Sequence, residues 1–169
     1  MTNSEKVREF SNTVAKSLGK SIPQKATKIP LNQVKFLIKM IMDESIELLA
    51  ASGVETDERK AVLEGILITS IDKREDLQCP TENEAIVLEQ ADAIVDIEYY
   101  MKDVAARNGI NTDAIFDIVH KANMAKRQLD GTFIMRSDGK VVKPDNWTSP
   151  EGIKKDEIRR QIKDSSFND

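Results

Sequence analysis

Five stretches of this chain carry apolar residues three and four apart, and a glycine closes three of them. That spacing is the period of an α-helix. The composition leaves little room for a turn-rich β architecture, since 169 residues include only 7 Gly and 5 Pro and few aromatics. Asn3 or Ser4 is placed to cap a first helix running to about Leu18, and Gly19 ends it. A polar connector, GKSIPQKATKIP, then leads to Pro30, which suits a first helical turn. The second helix runs from Leu31 to about Ser52 and stops at Gly53, and a third opens at Thr56 or Asp57 and reaches about Ile71. Thr81 and Glu84 form a capping-box pattern before a long helix, Glu82 to Asn108, ended by Gly109. Thr112 opens a fifth helix to about Leu129.

The period then changes. Thr132–Met135 and Lys140–Lys143 read as short β-like runs around Ser137-Asp138-Gly139, a hairpin signal. From Ser149 the chain is strongly charged and reads as a marginal helix or a mobile tail. The expected fold class is all-α, a helical bundle with a short C-terminal hairpin-like segment.

The formal charge of −4 argues against a nucleic-acid binder, which needs net positive surface to displace counterions. One cysteine, Cys79, and one histidine, His120, exclude a disulfide framework and a standard structural zinc site. The N-terminal MTNSEKVREF lacks the apolar core of a secretory signal, and no run approaches the ~20 apolar residues of a bilayer span. The expectation is a cytoplasmic protein with no membrane or nucleic-acid partner.

The long 82–108 helix has an electrostatic problem. Ile86, Ala93, Ile97, Tyr100 and Val104 share one side, while Glu89, Asp92, Asp96 and Asp103 fall beside them in an arc of about 60°. Stacked like charges destabilise an isolated helix by a few tenths of a kcal/mol per pair, so basic partners, solvent or cations must offset them. A solvated acidic face is the plainest account. Against it, the opposite flank (Leu88, Ala91, Val95) is also apolar, so the acids are expected to face protein, and Lys102 lies off the acidic arc. The second helix supplies Asp43, Glu44 and Glu47, with Glu44 and Glu47 on one flank at i, i+3. Two such pairs on two helices can converge into an all-oxygen site of the kind hard cations such as Mg²⁺ or Mn²⁺ prefer. A di-iron bundle would add Glu-x-x-His pairs, and the sequence has none.

The ordered pattern Glu44-Ser-Ile-Glu47, a spacer of about forty residues, and Glu89-Gln-Ala-Asp92 resembles the all-α nucleoside triphosphate pyrophosphohydrolase superfamily, which includes the MazG-like enzymes. The following DIEYYMKDVAARNGIN, VHKANMAK and DGKVVKPDNW look most like phosphoribosyl-ATP pyrophosphohydrolase-like proteins. The likeness spans roughly residues 30–150. It leaves residues 1–29 as a helix and connector and 151–169 as a charged tail.

The resemblance implies Mg²⁺ (or Mn²⁺) ligands at Glu44, Glu47, Glu89 and Asp92. Asp43 stands where many relatives carry a glutamate suspected of activating the attacking water; being a methylene shorter, it leaves Glu44 or Glu47 as alternatives. Asp96 matches an acid near metal or substrate, and Asn123 and Lys126 match contacts to substrate phosphate. Lys140 and Lys143, with Trp147 nearby, match a basic segment that closes over the nucleotide. The implied reaction is hydrolysis of a nucleoside triphosphate at the α–β bond to a monophosphate and pyrophosphate, in a homodimer or homotetramer. With no Ser, Cys or His nucleophile constellation, direct attack by water is favoured. The alternative is a non-catalytic relative that binds a nucleotide or a partner. His120, three residues before Asn123, is either within reach of phosphate or an ordinary half-buried histidine, and Trp147 either stacks on a base or anchors the C-terminal loop.

Overall fold

The computed structural model describes residues 1–163, and the end of the charged tail, 164–169, lies outside the described residues. It contains α1 (Asn3–Ser17), α2 (Leu31–Ala51), α3 (Thr56–Asp72), α4 (Asn83–Arg107), α5 (Thr112–Met124) and α6 (Glu151–Lys163). No strand occurs among the described residues, and the expected all-α class holds.

Local chemistry fixes the helix ends. The glycine stops act through the left-handed region that only glycine enters without strain. At the end of α2, Gly53 has φ +83°, and its N–H donates to the Ala50 carbonyl at 3.1 Å while Val54 N–H reaches back to Leu49 at 3.1 Å. Gly19 and Gly109 close α1 and α4 with the same pair of bonds. The N-terminal caps differ from expectation by a residue. Thr2 caps α1, in a capping box with Glu5. Asn111, through its side-chain oxygen, caps α5 by accepting from Asp113 and Ala114. The first helical bond of α4 runs from Ile86 N–H to the Glu82 carbonyl, one residue later than a Thr81 cap requires.

α5 is shorter than its apolar period suggests. It stops at Met124, because Gln128 N–H turns to the Thr132 carbonyl and Asp130 accepts from both the N–H and the hydroxyl of Thr132. Leu129, whose spacing extends the pattern, is fully exposed. The hairpin-like segment is reduced to one antiparallel bridge, Met135 to Val141. Its three-residue loop is closed by Arg136 N–H to Lys140 carbonyl at 2.7 Å and Gly139 N–H to Arg136 carbonyl at 3.1 Å, with Gly139 at φ +83°.

The chain divides into two compact units. One comprises Met1–Lys25 with Val95–Asp169, the other Ala26–Ile94. In the first, α5 packs against both α1 and α6. Lys6 forms an ion pair with Asp117, and Asn3 donates to Asp113 at 2.7 Å. Phe133 is the one buried apolar side chain among the described residues. Phe10 meets it edge-on at 5.2 Å between ring centres, and its N–H donates to Ser17 Oγ at 2.9 Å.

In the second unit α2 packs on α3. The Gln90 carboxamide holds the preceding connector by taking Ile29 N–H at 2.8 Å and giving a bond to its carbonyl at 3.1 Å. Much apolar surface stays uncovered here, including Ile38 and Leu48 on α2, Ile66 and Ile68 on α3, and Leu88 on α4. Beyond residue 94, α4 also exposes Val95, Tyr99, Tyr100 and Val104. The expected core stripe of this helix is therefore largely bare in a single chain.

Candidate active site

The carboxylates of the α2 and α4 motifs lie in the second unit. Glu44 and Glu47 are on α2, and Glu89 and Asp92 are on the first half of α4. All four are exposed. The expectation that the α4 acids face protein is thus not met in the single chain, for the same reason that the stripe beside them is bare. None of the four is hydrogen-bonded or ion-paired to another residue among those described. Asp43 differs. It is half-buried and accepts from Lys39 Nζ at 2.7 Å. Asp96 is exposed on α4, and Asp103 is engaged by Arg107 at 2.9 Å. Among the described residues, no group of three or more His, Cys, Asp or Glu side chains is gathered closely enough to hold a metal ion. Each helix presents its pair, and the single chain does not bring the pairs together. The donor set nonetheless suits a hard divalent cation, being all oxygen and uncompensated by protein cations.

The predicted phosphate-binding residues do come together, wholly within the first unit. Asn123, Lys126, Lys140 and Lys143 line one cavity of about 650 Å³. The end of α5 and the turn after it, closed by Lys126 N–H to the Asn123 carbonyl at 3.1 Å, bring Asn123 and Lys126 together, and the lysine ammonium donates to Asn123 Oδ1 at 2.7 Å. The 132–143 segment supplies Lys140 and Lys143. It also brings two residues that the sequence reading missed, Arg136 and, from α1, Phe10. Arg136 was legible in principle, since a three-residue loop places it directly opposite Lys140. Phe10 had no local signal.

Trp147 stands behind this cavity. Its indole N–H donates to the Ala122 carbonyl at 2.8 Å, and its ring lies under two ammonium groups, Lys143 at 4.3 Å and Lys126 at 5.9 Å. The carbonyl bond ties the C-terminal loop to α5. Lys126 is held below the usual lysine pKa, first by burial and then by the positive charge of Lys143. Lys126, Lys140 and Lys143 have no carboxylate partner among the described residues, while Arg136 pairs with Asp138 at 2.8 Å. His120 takes no part. It sits in the α1–α5 contact, its Nε2 3.5 Å from a Glu9 carboxylate oxygen, and does not line the cavity.

An all-helical chain with uncompensated carboxylate pairs and a cavity of converging cations belongs among proteins that handle polyanionic substrates. Comparison with known proteins makes that class specific. The family profile of phosphoribosyl-ATP pyrophosphohydrolase matches residues 7–123, and the chain belongs to that family. The match takes in most of α1, which the sequence likeness over 30–150 left out, and ends before the 132–143 segment. A solved structure of a putative NTP pyrophosphohydrolase from Exiguobacterium sp. 255-15 superposes with a TM-score of 0.85 at 29% identity, covering 98% of this chain and 99% of that one. A search of curated proteins gives no match. The chain is therefore a hydrolase acting on phosphoric anhydrides, and the non-catalytic alternative is set aside. No helix among the described residues is long and apolar enough to cross a membrane.

Proposed function

We propose that the protein is a Mg²⁺-dependent nucleoside triphosphate pyrophosphohydrolase, converting a ribo- or deoxynucleoside triphosphate to its monophosphate and pyrophosphate. The observation that carries the reading is the state of Glu44, Glu47, Glu89 and Asp92, which are paired on two helices and have no protein cation to offset them. In a chain of this family they are the residues to hold the metal. A bound divalent cation supplies charge neutralisation on the phosphate oxygens and lowers the pKa of water. Mn²⁺ fits the same donors.

The chain's own residues do the rest. Glu44 or Glu47 is suited to accept the proton of the attacking water, because neither carboxylate is committed to a partner. Asp43 is a weaker candidate here, its carboxylate being held by Lys39. Asp96, exposed on α4, is proposed as a further acid near metal or substrate. Asn123, Lys126, Lys140 and Lys143 receive phosphate oxygens, with Trp147 beside them. Charge-assisted bonds of this kind are stronger than neutral ones, and they add to the stabilisation of charge developing on a transferring phosphoryl group.

The apolar faces left bare on α2, α3 and α4 support a homodimer or homotetramer, each copy covering another's exposed helices. A cytoplasmic location is proposed with this function. The deciding experiment is a panel of dNTPs, NTPs and phosphoribosyl-ATP with Mg²⁺, with monophosphate and pyrophosphate both quantified. Release of both from at least one substrate, abolished by EDTA, is expected; diphosphate and orthophosphate as products would sink the α–β assignment.

A further inference from the structure

The cavity of the first unit holds more positive charge than its own protein groups offset. Three ammonium groups, on Lys126, Lys140 and Lys143, face it without a carboxylate partner, and Arg136 joins them from the opposite side of the loop. Bringing like charges together where one of them is partly desolvated is unfavourable unless an anion or another group compensates. Part of the compensation is the Trp147 ring, which lies under both Lys143 and Lys126 and is itself pinned to α5 through the Ala122 carbonyl. A ring face attracts ammonium through its quadrupole, and the same attraction fixes where the ammonium points.

Resting on that phosphate-binding reading, we propose that the cations of this cavity hold pyrophosphate without metal, that Arg136 is a further ligand, and that Trp147 is the positioning residue that holds Lys126 and Lys143 converged upon it. The indole N–H is committed to a carbonyl and the ring to two ammonium groups, and on that ground Trp147 is assigned to the anion rather than to the base. Four cationic side chains lining one cavity offer more charge than a single phosphate takes up, which favours a diphosphate. The proposal rests on the phosphate-binding role given to these lysines in the proposed reaction and takes that reaction's leaving group as the ligand. It predicts that inorganic pyrophosphate binds with neither metal nor nucleoside present.

Trp147 is the single tryptophan of the chain, so its fluorescence reports the site directly. Full-length protein in EDTA is titrated with sodium pyrophosphate and, separately, with orthophosphate at matched ionic strength. A saturable fluorescence change is expected, with affinity for pyrophosphate at least about tenfold above that for orthophosphate. Calorimetry then compares variants whose helicity matches the parent. Lys143→Met and Arg136→Met should each weaken pyrophosphate binding by about tenfold. Trp147→Phe, which keeps a ring face, should stay near the parent, and Trp147→Leu, which keeps bulk only, should lose about tenfold. Absence of saturable binding, equal affinity for orthophosphate, or parent-like binding by Trp147→Leu would each overturn the proposal. Should Trp147→Leu not fold, the parent titrations and the Lys143 and Arg136 variants still decide it. Repeating the titration with Glu47→Gln/Asp92→Asn separates the two readings. In that variant, turnover failing with pyrophosphate binding intact speaks for both, whereas a parent that turns over substrate yet binds no pyrophosphate speaks against this one alone.

Discussion

The Gln90 side chain closes both backbone hydrogen bonds of Ile29, accepting its N–H at 2.8 Å and donating to its carbonyl at 3.1 Å. Gln161 on α6 does the same to Asn111, taking its N–H at 2.9 Å and giving a bond to its carbonyl at 3.1 Å. A carboxamide is the one neutral side-chain group that matches a peptide edge in this way, donor to acceptor and acceptor to donor. Each clamp fastens a segment with few apolar contacts of its own. The Ile29 clamp holds the α1–α2 connector one position away from Glu89, and the Asn111 clamp holds the charged α6 to the cap of α5.

Replacing Gln90 with leucine, close in size and with no hydrogen-bonding group, leaves both Ile29 groups unpaired in a half-buried place. The expected loss is about 1–3 kcal/mol of unfolding free energy, in the range for a pair of neutral bonds. Urea denaturation followed by circular dichroism measures it. Gln90→Glu keeps the acceptor but loses the donor and should fall between. An unchanged midpoint in the leucine variant would show that the clamp is not formed in solution.

The helices were legible because their signals are local. Spacing and glycine stops placed α1 to α4 to within a residue or two of Ser17, Ala51, Asp72 and Arg107. The extension of α5 to Leu129 failed where apolar period and turn chemistry disagree: Leu129 is in register, yet Asp130 and Gly131 turn the chain before it can be used. The cationic residues were legible through resemblance, but their convergence depends on a bend that returns Lys140 and Lys143 to α5. Phe10 and the central place of Phe133 depend on contacts more than a hundred residues apart, which no window along the chain contains. The carboxylate pairs were visible as pairs, since i, i+3 spacing is a property of one helix. Their meeting is a property of helix packing and assembly.

Metal dependence should follow the uncompensated acids and not acidity in general. Glu47→Gln and Asp92→Asn are each expected to lower the rate of pyrophosphate release by about a hundredfold or more, in line with the several kcal/mol that a metal contributes to such chemistry. Asp103→Asn lies on the same helical arc but is committed to Arg107, and should leave the rate within about twofold. Initial rates across a Mg²⁺ titration check this. A parent-like rate in the Glu47 and Asp92 variants would remove both from the ligand set.

Assembly should depend on the bare face of α4. Leu88 and Val95 are 62% and 60% exposed in the single chain, and lie two helical turns apart on the apolar flank that borders the acids on the side away from Ile86 and Ile97. Burial of such a side chain in an interface contributes about 1.5–3 kcal/mol, and a charge placed there reverses its sign. Leu88→Glu/Val95→Glu is expected to run as a protomer near 19.0 kDa by light scattering, against a multiple of that mass for the parent. A parent already at 19.0 kDa would refute the oligomer.

The pocket lysine sets an alkaline limit on phosphate binding. Burial and the neighbouring Lys143 charge lower the pKa of Lys126 in the folded chain, so the unfolded chain holds this proton more tightly than the folded one. Stability linked to this group is accordingly lowest below the folded pKa, where the ammonium is charged at a cost. It rises with pH through the window between the folded pKa and the usual 10.5. Binding of an anion runs the other way, since it requires the ammonium. Affinity should fall as pH climbs through the lowered pKa, at a lower pH than an ordinary lysine would set. Pyrophosphate affinity measured from neutral pH upward should therefore decline while thermal stability does not, and Lys126→Arg, charged throughout, should move the decline to higher pH. A profile identical in the arginine variant would assign the alkaline limit to another group.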